Sequence, residues 1–167
     1  MAALIAALRM GETIADLEQV INATLADSIE MLYFNLAVMQ ESQTKGSLEE
    51  KAYREAVANM QKSYREDGID RVMNEHRLDV IVAPSGSPAW KTDLMNGDNF
   101  VLDTSVYAAL AGYPNINVPM GFVGDLPVGI SFFGRAWSEP LLLEIAYAYE
   151  QGTKHRRAPR FLPTMAG

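Results

Sequence analysis

The chain has 167 residues, of which 49% are hydrophobic and 21% are charged, with a net charge of −7 and no cysteine. This composition is ordinary for one globular domain and excludes disulfides and thiolate metal sites, which is compatible with a cytoplasmic location. The acidic balance argues against a nucleic-acid surface, and no apolar run reaches the about 20 residues of a membrane helix. We therefore expect neither nucleic acid nor membrane as a partner.

The N-terminal region predicts helices. Residues 1–8 are apolar and Arg9 follows them, but the stretch lacks the basic leading region of a secretory signal, which favours an internal helix instead. Thr13 and Asp16 have the spacing of a capping box, and apolar residues follow at steps of three and four through Met39. The pattern predicts one long amphipathic helix or two helices joined near Asp27.

A strand and a long loop come next. Gly68 interrupts a second helical pattern, and the continuous apolar run from Val80 to Ala83 predicts a buried strand. The stretch from Pro84 to Asp103 is rich in Gly, Ser, Asn and Asp. A loop of this length is usually either functional or mobile.

The rest of the chain reads as helix, turn, strand, turn, strand and helix. The first helix ends at Gly112, a short strand runs from Asn115 to Val118 and is closed by Pro119, and a second, apolar strand runs from Val128 to Phe133. A final helix runs from a Ser138 cap to Gly152.

These elements predict an α/β fold with a small mixed sheet and flanking helices. We expect a single domain over residues 1–167, with a helical region at about 13–76, an α/β region at about 78–153 and a basic tail at 154–167.

Several sequence blocks in this region resemble one known family. Ala111–Pro114, Leu126–Gly129 and Glu139–Leu142 resemble the C-terminal signature of the amidase signature family of amide hydrolases, and Leu78–Pro84 resembles the strand that enters it. The likeness covers about residues 13 to 163. It implies the C-terminal third of the amidase signature fold, hydrolysis of the C–N bond of a small amide by the complete enzyme, and no cofactor.

The catalytic segment of that family is not found here. The family uses a Gly/Ser-rich run that carries a nucleophilic serine, a second serine in a cis peptide, and an upstream lysine. No GGSSGGS-like run occurs in the 167 residues, so we assign no catalytic residue. The chain is expected to supply sheet and substrate-pocket wall and to be inactive alone. The alternatives are a non-catalytic subunit or interaction module, or the folded remnant of a truncated amidase gene.

The long loop holds the candidate pocket residues. In the resembled family this loop borders the substrate pocket, which makes Trp90, Asp98 and Asn99 candidates for its lining, although they could instead fold the loop back on itself. Ser85 and Lys91 imitate a Ser–Lys hydrolase site, but nothing nearby orders a base, and we reject that interpretation. Bulky side chains at Val106 and Tyr107 are expected to narrow or fill the pocket.

No metal site is expected. His76 and His155 are far apart and lack convergent partners. Asp93, Asp98 and Asp103 recur every five residues, but the pattern does not fit a calcium loop, and these residues are more typical of turns.

The basic residues from Lys154 to Arg160 complement a helix dipole, or else they meet an anionic partner. Three short strands should leave a sheet edge and an apolar face unpaired. We therefore expect self-association, or a partner that supplies the missing catalytic segment.

Overall fold

The computed structural model describes residues 14–32 and 35–161. Contacts between residues group the chain into two compact units, divided between Tyr53 and Arg54. The elements in order are α1 (Leu17–Ala26), a 3-10 turn (Glu30–Leu32), α2 (Ala37–Gln43), α3 (Lys51–Tyr64), a π-helical turn (Arg65–Ile69), α4 (Asp70–His76), β1 (Ile81–Pro84), α5 (Ser105–Ala111), β2 (Asn115–Val123), β3 (Leu126–Phe133) and α6 (Glu139–Thr153). The single domain expected from the sequence stays a prediction.

The first unit contains α1, α2 and the beginning of α3. Asp16 caps α1, because its Oδ1 accepts the backbone N–H of Gln19 at 2.9 Å, while Thr13 of the predicted capping box lies outside the described residues. Of the two alternatives, the single long helix is not seen: α1 ends at Ala26, the Asp27 carboxylate accepts the N–H of Ile29 at 2.9 Å, and α2 begins only at Ala37. A short polar side chain that bonds its own backbone in this way starts a turn.

Gly68 interrupts the helical run as predicted, in the form of a π-helical turn between α3 and α4. Its φ of −105° and ψ of −107° are not helical, and a Cβ at this position would lie only 2.8 Å from the carbonyl oxygen of Ser63. The turn carries Arg65, whose Nε donates to the carbonyl oxygen of Ala111 at 2.5 Å. This bond fixes the turn to the end of α5.

The second unit is built on a three-stranded sheet in the order β1-β3-β2. The α/β class with flanking helices is confirmed. The sequence predicted a mixed sheet, and this prediction is wrong, because β3 pairs antiparallel with both of its neighbours. Strands β2 and β3 form a hairpin closed at Gly124-Asp125, and β1 pairs with the other edge of β3. As its continuous apolar run indicated, β3 is the central strand.

Strand β2 is longer than expected. Pro119 does not close it; the strand continues to Val123 across a bulge between Pro119 and Gly121. Proline lacks a backbone N–H, so strands tolerate it at bulges and on edges, and β2 is an edge strand. The predicted turn therefore shrinks to the tip of the hairpin.

Helices cover both faces of the sheet. Helix α6 packs one face through a buried cluster of Val118, Phe132, Leu142 and Ala146. The π-helical turn, α4 and α5 pack the other face through a second cluster of Ile69, Met73, Ala108, Ala111 and Phe133. Side chains of a strand alternate between faces, so Phe132 and Phe133 serve different clusters.

Candidate functional site

The long loop begins and ends beside the same strand. Gly86 and Asp103 form an isolated antiparallel bridge, and the N–H of Ser87 donates to the carbonyl oxygen of Leu102 at 3.3 Å. Buried Thr104 closes the base of the loop, since its Oγ1 donates to the carbonyl oxygen of Pro84 at 2.7 Å. The two ends of the loop are therefore held close together, directly after β1.

The candidate pocket residues lie together near the tip of this loop. Trp90 Nε1 donates to Asp98 Oδ1 at 3.1 Å, and the Trp90 ring meets the Phe100 ring edge-on at 6.3 Å between centroids. Trp90, Asp98 and Asn99 line an open hollow of about 400 Å³, which we refer to as the loop hollow. The hydrogen bond between Trp90 and Asp98 folds the loop back on itself, and the same two residues line the loop hollow. The structure is therefore consistent with both interpretations, pocket lining and loop folding.

Two of the three aspartates form turns, as expected. Asp93 accepts the N–H groups of Met95 and Asn96 at 2.9 Å, and the Asn96 side-chain amide lowers the pKa of its carboxyl. Asp103 accepts the N–H of Ser105 at 2.8 Å, which likewise lowers its pKa. Within residues 14–32 and 35–161, no three His, Asp or Glu side chains converge as a metal site.

A second hollow lies on the sheet itself, at the base of the loop. Ser85 and Ser131 share a hydrogen bond of 2.8 Å between their Oγ atoms, and Asn117 Nδ2 donates to Ser85 Oγ. Asn117 stands opposite Ser131 on neighbouring strands, beside Gly129, where a Cβ would lie 2.5 Å from the Asn117 amide nitrogen. Glycine at this position makes room for the amide.

This sheet hollow has a volume of about 480 Å³. Its lining consists of Ser85, Ser105, Ala108, Ala109, Tyr113, Asn115, Asn117 and Ser131. The residues on the α5 side are small, and the residues on the strands carry hydroxyl and amide groups. Such a surface can donate to and accept from an uncharged polar ligand.

Sequence reasoning missed the sheet hollow. Asn115 and Asn117 lie two residues apart and so point to the same face of β2, and Ser131 interrupts the apolar run of β3. That alternation was the available signal. It could not be used without the strand register that places Ser131 opposite Asn117.

Tyr113 forms one wall of the sheet hollow and is fixed by two contacts. Its hydroxyl donates to Asp70 Oδ2 at 2.8 Å, and the guanidinium carbon of Arg65 lies 5.6 Å from its ring centroid. Burial, followed by the hydrogen bond to the Asp70 carboxylate, raises the pKa of the Tyr113 hydroxyl. The phenol is thereby held in its neutral form.

The structure separates the two members of the rejected Ser–Lys pair. Ser85 lines the sheet hollow, and Lys91 lines the loop hollow. In the described part of the chain, the hydrogen-bond partners of Ser85 Oγ are Ser131 and Asn117, neither of which is a base. Ser85 therefore lacks the activation that a nucleophile requires.

Val106 and Tyr107 do not line either hollow. They are 40% and 51% exposed on the outer side of α5, while Ser105, Ala108 and Ala109 line the sheet hollow. The expected narrowing of a pocket by these two side chains is not seen in either hollow.

Comparison with known proteins places this arrangement in a family. Residues 2–143 match the Amidase family, and the chain belongs to that family. It is 41% identical over 102 residues to a probable amidase of Arabidopsis thaliana, an alignment that covers 60% of this chain and 17% of that protein. It is also 41% identical over 88 residues to a glutamyl-tRNA(Gln) amidotransferase subunit of Pseudomonas entomophila, covering 49% of this chain and 18% of that one.

Solved structures agree over almost the whole chain. Peptide amidase in complex with the competitive inhibitor chymostatin superposes with a TM-score of 0.82 at 37% identity, over 93% of this chain and 32% of that chain. Native peptide amidase from Stenotrophomonas maltophilia gives a TM-score of 0.79 at 36% identity, over 93% and 31% of the two chains. The chain thus spans about a third of the peptide amidases and less than a fifth of the two curated relatives. The fold is that of part of the amidase signature fold.

No helix among the residues that the structure describes combines the length and the apolar character needed to cross a bilayer.

Proposed function

We propose that this chain supplies the sheet and one wall of the substrate pocket of an enzyme that hydrolyses amide C–N bonds. The carrying observation is the match to peptide amidase over 93% of the chain at 37% identity. The sheet hollow around Ser85, Asn117 and Ser131 supports a pocket role, because hydroxyl and amide groups can bind the carbonyl oxygen and N–H of an amide at the same time.

The nucleophile comes from sequence outside these 167 residues. A serine nucleophile needs a base within about 2.6–3.2 Å and a group that stabilises the oxyanion. The family's Gly/Ser-rich run is absent from the sequence, and Ser85 bonds only neutral groups in the described residues. The chain alone is therefore expected to be inactive, with catalytic residues supplied by a longer polypeptide or by a partner.

The substrate is a small amide, and the structural relatives named peptide amidase point to peptide amides as its class. The sheet hollow contains no described Lys or Arg in its lining, which suits a neutral amide better than a carboxylate. Trp90, Asp98 and Asn99 would extend this wall along the loop. The location proposed is the cytoplasm, because a chain without cysteine suits a reducing compartment.

Unpaired strand edges support an interaction role. Within the described residues, β1 and β2 each pair only with β3, so each leaves one edge open. Open edges pair readily with further strands. We propose that a polypeptide carrying the catalytic segment pairs there, and that the isolated chain associates with itself in its place. This also favours the alternative of an interaction module without chemistry of its own.

Ammonia release from a panel of primary amides tests the proposal. The purified chain alone should release none, and co-expression with the catalytic segment of a peptide amidase should restore release. A variant with Ser85→Ala and Ser87→Ala is the control for chemistry within the loop. Release by the chain alone that disappears in this variant would contradict the proposal, and a strictly monomeric chain at high concentration by light scattering would contradict self-association.

A further inference from the structure

The segment that follows α6 folds against the tip of the β2–β3 hairpin. Helix α6 ends at Thr153, and Lys154 follows in the left-handed conformation with φ of 52°. Its backbone N–H donates to the carbonyl oxygen of Glu150 at 2.8 Å. A cation at this position complements the helix dipole, but the effect fades beyond the last turn. Arg156, Arg157 and Arg160 lie past that point, so the dipole does not account for them.

Two of these arginines contact the hairpin. The guanidinium carbon of Arg157 lies 4.3 Å from the ring centroid of Phe122, and Arg160 Nη2 lies 2.9 Å from Asp125 Oδ2. Both members of the ion pair are about 60% exposed. An exposed pair of this kind contributes at most about 1 kcal/mol, so it adds little to the stability of the fold.

A hollow of about 370 Å³ lies between the tail and the hairpin, and we refer to it as the tail hollow. Part of its lining is apolar and comes from Pro119, Phe122, Pro127 and Pro159. Its volume falls in the range of about 300–1,000 Å³ that small-molecule sites occupy. An apolar lining of this kind suits the body of an aromatic ligand.

The charged lining of the tail hollow is mostly positive. Arg156, Arg157 and Arg160 line it, against the single carboxylate of Asp125. Arg156 forms no hydrogen bond or ion pair with any residue of the described ranges, although it lines the hollow. This local excess of cations stands out in a chain with a net charge of −7.

We propose that the tail hollow binds a small aromatic carboxylate. Its ring lies against the apolar lining beside the Arg157 guanidinium, which already covers one face of the Phe122 ring, and its carboxylate forms a two-pronged hydrogen bond with Arg156. The planar guanidinium matches a carboxylate in geometry, and a charged pair of this kind bonds more strongly than a neutral one. The tail hollow shares no residue with the sheet hollow, so this inference is independent of the proposed amidase role.

Calorimetric titration of the full chain with phenylacetate tests the proposal, with 2-phenylethanol as a neutral ligand of similar shape that is not an amide. Phenylacetate should bind at least about tenfold more tightly than 2-phenylethanol, because only the acid forms the charge-assisted bond. Its binding should weaken when the salt concentration is raised from about 0.05 M to 0.5 M, since the site is exposed and screened. Equal binding of the two compounds, or no binding of phenylacetate, would overturn the proposal.

Variants locate the site. Arg156→Gln should weaken phenylacetate binding about tenfold without loss of folding, because Arg156 is exposed and unpartnered in the described structure. Phe122→Leu should weaken the binding of phenylacetate and of 2-phenylethanol alike, since it alters the apolar lining. Arg77→Gln is the matched control, as Arg77 is an exposed arginine of the same unit outside the hollow. Equal losses in Arg156→Gln and Arg77→Gln would mean general charge attraction and would reject the site.

Discussion

The two faces of the sheet are formed by the same three strands but are covered differently. On one face, Ile116, Val118, Ile130 and Phe132 all pack against α6 in one continuous apolar layer. On the other, Phe133 and Ile81 pack against α4 and α5, and further along the sheet the apolar layer gives way to Ser131, Asn117 and Ser85.

This difference separates a closed, packed face from a face that can meet a ligand within one sheet. An apolar layer closed by a helix leaves no polar group to meet a ligand, whereas a partly covered face with hydrogen-bonding side chains does. Polar groups this close to a core remain satisfied only while they bond one another or a ligand, because an unpaired buried group is costly. The two faces should therefore respond differently to substitution.

The largest effect is expected on the apolar face, at Leu142. Leu142 is only 2% exposed, and Leu142→Ala should lower the free energy of unfolding by about 2–5 kcal/mol through lost burial and an internal cavity. The neighbouring Leu143 is 58% exposed, so Leu143→Ala is the matched control and should change stability by less than about 1 kcal/mol. Urea denaturation of both variants measures the difference. Similar losses of stability in the two variants would show that the side of α6 that carries Leu142 does not pack against the sheet.

Smaller losses in the free energy of unfolding are expected on the face that carries the sheet hollow, and one of two serine variants should lose more than the other. Ser85→Ala leaves the Ser131 hydroxyl, which is 3% exposed, without its partner and should cost about 1–3 kcal/mol. Ser131→Ala leaves Ser85 with the Asn117 amide and should cost about 0.5–1.5 kcal/mol.

The double variant separates the shared bond from other effects. Because both single changes remove one and the same hydrogen bond, the double variant should lose less stability than the two single variants added together. Additive losses, or a larger loss for Ser131→Ala than for Ser85→Ala, would contradict the bonding described for this face.

Local signals in the sequence predicted local features correctly. Gly112 ends α5 with φ of 65°, the break near Asp27 is present, and the apolar run of β3 belongs to a central strand. Each of these depends on residues a few positions apart, where turn chemistry and periodicity decide the conformation. Helical periodicity did not predict burial in the first unit, where Ile21 is buried while Leu25 is 46% exposed.

Features that join distant residues were not predictable from one sequence. The bulge that lengthens β2 depends on pairing with β3, and the hydrogen bond between Ser85 and Ser131 joins residues 46 positions apart. The register of strand pairing decides which polar residues meet, and no local pattern encodes it fully. The candidate loop residues could be named from the sequence because the loop's length and composition are local and the family resemblance covers it, and their role stays a prediction, whereas the sheet hollow required the fold.

The smallest effect is a pH dependence at the wall of the hollow face. The pKa of Tyr113 is raised in the folded chain, chiefly by burial and then by the bond to Asp70, so folding favours the neutral phenol. The resulting stabilisation is fully present below the ordinary tyrosine pKa of about 10 and is lost as the pH rises through the higher folded value.

Tyr113→Phe should lower stability at pH 7, by about 1 kcal/mol for the lost hydrogen bond, and should reduce the decline in stability above about pH 10. Tyr147→Phe, at a site 66% exposed, is the control. Urea denaturation from pH 7 to 11 measures both variants, and an unchanged alkaline decline in Tyr113→Phe would show that the Tyr113–Asp70 bond does not link this face to pH.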